Sequence, residues 1–458
     1  MSGRPAVLAP ILALLLAAPL GAQVRASRVT PAVGSVVSLP AARGDEARIA
    51  AEVERIAPAL IELRHDLHRH PELSNREVRT AGVVARELRR LGLEVREGIA
   101  RTGVVGVLRG GRPGPVVGVR ADMDALPVTE TIDLPFRSVE RTEYLGRETG
   151  VSHACGHDIH VAVALGVAEV LASERERLAG TVLFIFQPAE EGAPPGEKGG
   201  ASLMIEEGVL EDPSPAVLLA LHTNGDHPDE VGDWEQLGKL SFTPGPQYAS
   251  ATSWRARIVG RQAHGATPHL GVDAIVTAAE VVTGLQTIVS RTLTPFVPAV
   301  VTVGVFRAGD RSNIIAGSAE LAGTVRTFDD SVTATIKARM HAIMAGVTAA
   351  AGATFELEFE ETIPVTANDS ALAARFRPVL ERVVGRDNVG LVQAETGAED
   401  FSYFSRRVPS FYFKLGAVPP GQASGGHHTP TFLADDGAIP IGVRALTAVA
   451  LEALEAAK

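Results

Sequence analysis

The sequence predicts an α/β fold in which a mixed-sheet domain is interrupted by a smaller α+β insertion. Three observations carry this. The chain has 458 residues, 45% of them hydrophobic, which exceeds what one ordinary core serves and suits a large buried interior. Apolar strands alternate with helical patterns between residues 104 and 221, as in a sheet with helices on its faces. After Pro244-Gly245-Pro246 the order becomes β-α-β-β-α-β over 247–361, the ferredoxin-like signature.

The elements follow in order. Residues 1–22 read as a signal peptide: Arg4, an apolar run from Ala6 to Leu20, then the small pair Gly21-Ala22. The run is too short and too Pro-interrupted for a transmembrane anchor, and it lacks the Cys of a lipoprotein. Cleavage near Ala22 is expected, giving an exported chain, periplasmic or secreted; an uncleaved membrane tether is the alternative. Residues 23–46 read as a linker. The first domain spans 47–246. Its first helix repeats Ile49, Val53, Ile56, Leu60, Leu63 and Leu67 at three- and four-residue spacing and ends at His70-Pro71. A second helix runs from Glu77 to Leu91 and stops at Gly92. The β-branched runs Val104–Leu108 and Val116–Val119, separated by Gly111-Arg112-Pro113-Gly114, read as a hairpin. Helices at Val161–Ser173 and Ala201–Glu207 alternate with strands at Thr181–Phe186 and Ala216–Leu221. The insertion takes strands at 253–259, 299–306, 319–328 and 354–359 and helices at 272–291 and 332–350. The first domain resumes over 362–458, with a strand near Phe411–Leu415 and an Ala-rich final helix.

Composition excludes several classes. Net charge is −11 with no long basic block, so nucleic acid is not an expected partner. No heptad run or fixed-period repeat is present. Cys155 is the single cysteine, so an intramolecular disulfide is impossible. An exported free thiol oxidises readily unless a metal holds it as thiolate.

Four loops carry chemistry. His153-Ala-Cys155-Gly-His157-Asp158 offers thiolate and imidazole at i, i+2; the plain alternative is a buried Cys beside a helix-capping His. Glu190-Glu191 follows the strand ending Phe186-Gln187-Pro188, where adjacent carboxylates are costly unless ion-bound or differently protonated; a solvated acidic loop is the alternative. His222 closes the apolar strand 217–221, and His427-His428-Thr429-Pro430 lies in a Gly-rich loop; each is weak alone. Together they suit one or two borderline-soft divalent ions, zinc or manganese first. Glu190 then serves as the proton-handling base, with Glu191 as ligand. His65, His68 and His70 read as surface or structural.

Arg120-Ala-Asp122-Met-Asp124-Ala-Leu-Pro127, the His153–Asp158 hexapeptide, Gln187-Pro-Ala-Glu-Glu191 and Ala398-Glu-Asp-Phe401 occur in the order found in one family. The chain resembles the amidohydrolase branch of the co-catalytic metallopeptidases over about residues 47–456. That branch includes hippurate hydrolases, N-acyl-amino-acid deacylases and auxin-conjugate hydrolases. The resemblance implies a catalytic domain of zinc-peptidase type, with 247–361 as a lid and dimerisation domain. It implies the ligand set Cys155, His157, Glu191, His222 and His428, the last preferred to His427 because it directly precedes Thr429-Pro430. It also implies Glu190 as general base, Asp124 behind a ligand imidazole, and Asn313 and Arg326 as substrate-binding residues. His264, in Gly260-Arg-Gln-Ala-His264, would reach the neighbouring subunit's site and stabilise an oxyanion. Ala316 stands where relatives often carry Pro.

The expected activity is metal-dependent hydrolysis of N-acyl amino acids or small dipeptide-like amides bearing a free carboxylate, by a homodimer. Two rivals are weighed: thiol catalysis with Cys155 as nucleophile and His157 as base, and a non-catalytic exported metal- or ligand-binding protein of the same fold.

Overall fold

The computed structural model describes residues 35, 37–42, 44–225, 233–360 and 362–455. The expected signal peptide, and residues 23–34 of the expected linker, lie outside them. Later in that linker, Val37 and Leu39 pack against the main core.

The strands, in chain order, are β1 (Glu94–Ile99), β2 (Gly103–Arg109), β3 (Arg112–Asp122), β4 (Ala179–Gln187), β5 (Val217–Asn224), β6 (Leu240–Phe242), β7 (Ser250–Val259), β8 (Ala299–Ala308), β9 (Ser318–Thr327), β10 (Thr354–Phe359), β11 (Val389–Leu391) and β12 (Ser410–Gly416). An eight-stranded mixed sheet has the order β1-β2-β4-β3-β5-β12-β6-β11. Its central strands are largely apolar because both faces are covered, with polar residues gathered toward their carboxyl ends. Val182, Phe184 and Phe186 of β4 face one core, while Leu183 and Ile185 face another that contains Met204, Phe401 and Phe404.

The first core is roofed by helices. Helix α1 (Asp45–Arg69) buries Val53, Ile56, Leu60 and Leu67 on one stripe. Helix α2 (Val78–Arg90) buries Val83, Val84 and Leu88. Helix α3 (His157–Ser173) is buried nearly all round, since it lies between the sheet, α1 and a C-terminal helix (Ala438–Glu455). Gly166 makes that packing possible: a Cβ there would sit 2.5 Å from Val443 Cγ2 and 2.7 Å from Leu60 Cδ1.

The second sheet is antiparallel, in the order β8-β9-β7-β10. Helices α4 (Ala274–Thr287) and α5 (Asp330–Ala351) cover one face of it, around Trp254, Ile258, Leu321, Val325, Ile336 and Met340. Each helix starts at an Asp that accepts two backbone N–H bonds, Asp273 and Asp329. This is the ferredoxin-like arrangement.

The hairpin expected across Gly111–Gly114 does not form. β2 pairs with β1 and β4, and β4 lies between β2 and β3. Nothing local announces that a strand 70 residues later takes the intervening place, and the charged edge strand β1 carries no apolar signal. β3, β4, β5 and β12 run parallel, so Asp122, Gln187, His222 and Lys414 all stand toward their carboxyl ends along one edge of the sheet.

Candidate metal centre and active site

At that edge the four chemistry-bearing loops meet around a cavity of about 430 Å³. Cys155 Sγ lies 3.4 Å from His222 Nε2 and 3.5 Å from His427 Nδ1. His157 Nε2 is 3.8 Å from Glu190 Oε2 and 4.0 Å from Glu191 Oε1. His428 Nε2 is 3.1 Å from Glu191 Oε1. Ligand atoms about 3.3–3.8 Å apart are what metal–ligand bonds of about 2.0–2.3 Å in a tetrahedron require. The ligand atoms of Cys155, His157 and His222 lie within 4.8 Å of one another, as do those of Cys155, Glu191 and His428. Cys155 belongs to both groups, which suits two ions sharing a ligand.

The backbone is built to hold these groups. Gly156 takes φ 87°, and a Cβ there would meet Thr223 Oγ1 at 2.3 Å, so only glycine fits between Cys155 and His157. Asp124 lies behind His157, with its Oδ1 3.4 Å from the imidazole Nδ1. Its carboxylate accepts from the backbone N–H groups of Glu190 (3.1 Å) and Glu191 (3.0 Å) and from Ser74 Oγ (2.7 Å). His157 Nδ1 donates to the Asp124 carbonyl at 2.8 Å, which leaves Nε2 for the ion. Ala189 sits in the left-handed region at φ 52°, held by its N–H bond to Glu77 Oε1 at 2.9 Å. Glu77, which sequence reasoning passed over, thus pins the Glu190–Glu191 loop from beneath.

A buried ionic cradle lies under the site. Arg120 pairs with Asp122 (2.6 Å), Glu399 (3.0 Å) and Asp400 (3.2 Å) and donates to Gln187 Oε1 (2.8 Å). His160 bridges Asp122 (2.5 Å) and the Thr223 backbone N–H (2.8 Å), so it is spent structurally. A second network ties the first turn of α3 to α1. Arg64 and His68, one helical turn apart, both hold Asp158, at 2.7 and 2.8 Å. His68 is buried, so the reading of that histidine cluster as structural holds there and the surface reading does not.

Burial and clustered carboxylates shift the protonation of the site's groups. Burial, then Glu399, Glu191 and Asp400, push Glu190 well above the usual carboxylate range. Burial, then Glu191 and Glu190, push the Cys155 thiol well above its ordinary value. Burial opposes charge on His157, but Asp122 and Asp124 outweigh it and hold the imidazolium up to about 10. While burial, His160 and His427 push His222 well below the ordinary imidazole value, Glu190, Cys155 and His157 favour bound protons. Divalent ions would replace them and ionise the thiol. His157 Nε2 is buried and makes no hydrogen bond, which leaves it for an ion. The donors present fit borderline-soft divalent ions.

The thiol-nucleophile alternative finds no support. A nucleophilic Cys needs a depressed pKa and a base in contact. Here the thiol is raised, and His157 is turned toward Asp124.

The insertion's three expected residues lie elsewhere. His264 and Ile314 pair across a two-residue ladder, and Gly265 N–H donates to the Asn313 carbonyl at 2.8 Å. His264 and Asn313 are exposed, and neither they nor Arg326 are among the described residues lining the cavity. Arg326 is half-buried on β9, and burial lowers its pKa. His427, passed over in favour of His428, stands at the cage as well. Its Nε2 accepts from Gly225 N–H at 3.0 Å and its Nδ1 faces Cys155, while His428 reaches Glu191 from a left-handed backbone at φ 60°.

Comparison with known proteins points the same way. The model of the peptidase family M20/M25/M40 matches residues 118–452. Thermostable carboxypeptidase 2 of Saccharolobus solfataricus is 34% identical over 410 residues, covering 88% of this chain and 97% of that one. An N-acyl-L-amino acid amidohydrolase of Geobacillus stearothermophilus is 37% identical over 351 residues, 76% of this chain and 88% of that one. The crystal structure of Bacillus subtilis YxeP, described as a dinuclear metal-binding peptidase, superposes with a TM-score of 0.73 at 30% identity, covering 88% of this chain and 99% of the other.

Proposed function

This chain belongs to peptidase family M20/M25/M40 and is a metal-dependent amidohydrolase, and on that premise we propose that it cleaves N-acyl amino acids or small dipeptide-like amides bearing a free carboxylate. One observation carries the reading: thiol, imidazoles and Glu191 converge in one cavity beside a spare carboxylate, Glu190. Cys155, His157, Glu191, His222 and His428 would hold one or two divalent ions, zinc or manganese. When bound, such ions polarise the amide carbonyl and lower the pKa of water at the site. Glu190 takes the proton from the attacking water and delivers it to the departing amine nitrogen. Asp124 keeps Glu190 and Glu191 in register through their backbone N–H groups. Arg326, half-buried, is the guanidinium assigned to the substrate carboxylate, and Asn313 is the second substrate-binding residue.

Removing metal from the purified protein should abolish hydrolysis of N-acyl amino acids, and added zinc, manganese or cobalt should restore it. Amides without a free carboxylate should be cleaved poorly by the restored protein. Hydrolysis that survives complete metal removal, and stops only when the metal-free protein is alkylated, would return the thiol reading.

We further propose an exported homodimer. The Ala6–Leu20 run supports export. β8 ends the second sheet and leaves Val300 and Phe306 exposed at 41% and 44%, an edge suited to a second copy. His264 lies off its own cavity, so the partner subunit's His264 is the one that would reach the oxyanion. One preparation tests both parts: a chain produced with its leader and recovered outside the cytoplasm should begin near residue 23 and sediment at twice its mass. An uncleaved chain overturns the first part and a monomer overturns the second.

A further inference from the structure

We propose that Glu395, held by the buried ammonium of Lys414, reads the acyl side of the substrate. It favours amides whose acyl part carries N–H donors, first among them the free α-ammonium of a dipeptide. The inference rests on the amidohydrolase reading above and adds a residue that selects which amide is taken.

Lys414 stands on β12 in register with His222 of β5, and in-register neighbours point to the same face. Its ammonium therefore lies beside the metal cage, where it lines the cavity. It donates to Glu395 Oε1 and sits 5.5 Å from the Tyr248 ring centroid. The Lys414 side chain is only 4% exposed and that of Glu395 is 40% exposed. This asymmetry assigns the roles: substrate can touch the carboxylate, while the ammonium beneath positions it. The Glu395 backbone is fixed as well, donating N–H to the Gln247 carbonyl and accepting from Ala249 N–H. One oxygen is tied to Lys414, and the exposed part of the group faces the cavity it lines.

The other carboxylates there have work elsewhere. Glu190 and Glu191 serve proton transfer and metal, and Glu399 is bound by Arg120 and Tyr412. An apolar acyl chain laid over Glu395 would strip water from a carboxylate without replacing its hydrogen bonds. A dipeptide α-amine, with an ordinary pKa of about 8, is mostly protonated at neutral pH and supplies a charge-assisted bond instead.

The test compares a glycyl dipeptide with the N-acetyl derivative of the same amino acid, using metal-loaded protein. Wild type is expected to cleave both. Glu395→Gln, at a part-exposed position, should lower the dipeptide-to-acetyl ratio of kcat/KM about tenfold or more, mainly through KM. Lys414→Arg should keep the ratio and Lys414→Met should lower it, because only the former still holds Glu395. Binding gives a readout independent of turnover: in a Glu190→Gln background, the calorimetric Kd of the dipeptide should rise about tenfold on adding Glu395→Gln. A ratio and a Kd that move less than about twofold, or a wild type that cleaves only the acetyl substrate, overturn the inference and leave the hydrolase reading standing. A wild type that cleaves neither removes that reading and this inference with it.

Discussion

Glu190→Gln should lower kcat by roughly 10²–10⁴-fold, the usual contribution of a positioned acid–base group, while metal content stays at the wild-type level. The two effects separate because of where Glu190 stands. Its Oε2 is 3.8 Å from His157 Nε2, close enough to exchange a proton with a water at the cage. The five proposed ligands do not include it. Its backbone is pinned by Asp124 and, one residue earlier, by Glu77, so the amide side chain should occupy the same place. Gln is isosteric with Glu but cannot accept and return a proton at neutral pH. Burial, Glu399, Glu191 and Asp400 hold the Glu190 carboxyl up in the metal-free protein. Bound cations oppose that shift and favour the ionised carboxylate that a base requires. Elemental analysis beside steady-state kinetics decides the matter. Should metal fall in step with activity, Glu190 is a ligand; should activity persist within about tenfold, the proton passes through another group.

The metal cage was legible because its members need only a loop after a strand and a donor atom, both local features. Cys155 and Glu191 are such cases, while His157 opens α3 and His222 lies inside β5, each next to a loop. His427 against His428 was not decidable from spacing, since neighbouring imidazoles in a Gly-rich loop can exchange places with one turn of backbone. Here the left-handed φ of His428 brings both to the cage. Motifs announced Arg120, Gln187, Glu399 and Asp400, but their task as one buried cradle depends on three segments meeting across the sheet. Glu77, Arg64 and His68 were harder still. Polar residues on a helix look solvated unless the carboxylate or backbone group they bind is seen. Strand order was hidden for the same reason: periodicity says that β2, β3 and β4 exist, and only packing says that β4 lies in the middle.

Arg120→Met should cost roughly 3–5 kcal/mol of stability, the penalty for leaving buried charges unpaired. The guanidinium is fully buried, and three carboxylates close on it at 2.6–3.2 Å: Asp122, Glu399 and Asp400. Methionine fills much of the volume but supplies none of the donors. Even with Arg120 present, burial drives the Asp400 carboxyl up to about 8, against its ordinary 3.8. A carboxyl whose folded pKa exceeds its unfolded value gives stability that is full below the unfolded pKa and is lost as pH rises through the folded one. Removing Arg120 raises that folded value further, so the two folded proteins differ in protonation only above about pH 8, and the deficit relative to wild type should widen as pH rises past about 8. Urea unfolding of metal-loaded wild type, Arg120→Met, Glu399→Gln and the double variant checks this. The double variant should recover part of the loss, because removing a carboxylate charge relieves what the missing cation left behind. A single-variant loss below about 1 kcal/mol, or a deficit that shrinks as pH rises, would mean that water or relaxation already neutralises the cradle. The positioning of Gln187 and Asp122, and through them of the strand ends that carry the cage, would then need another source.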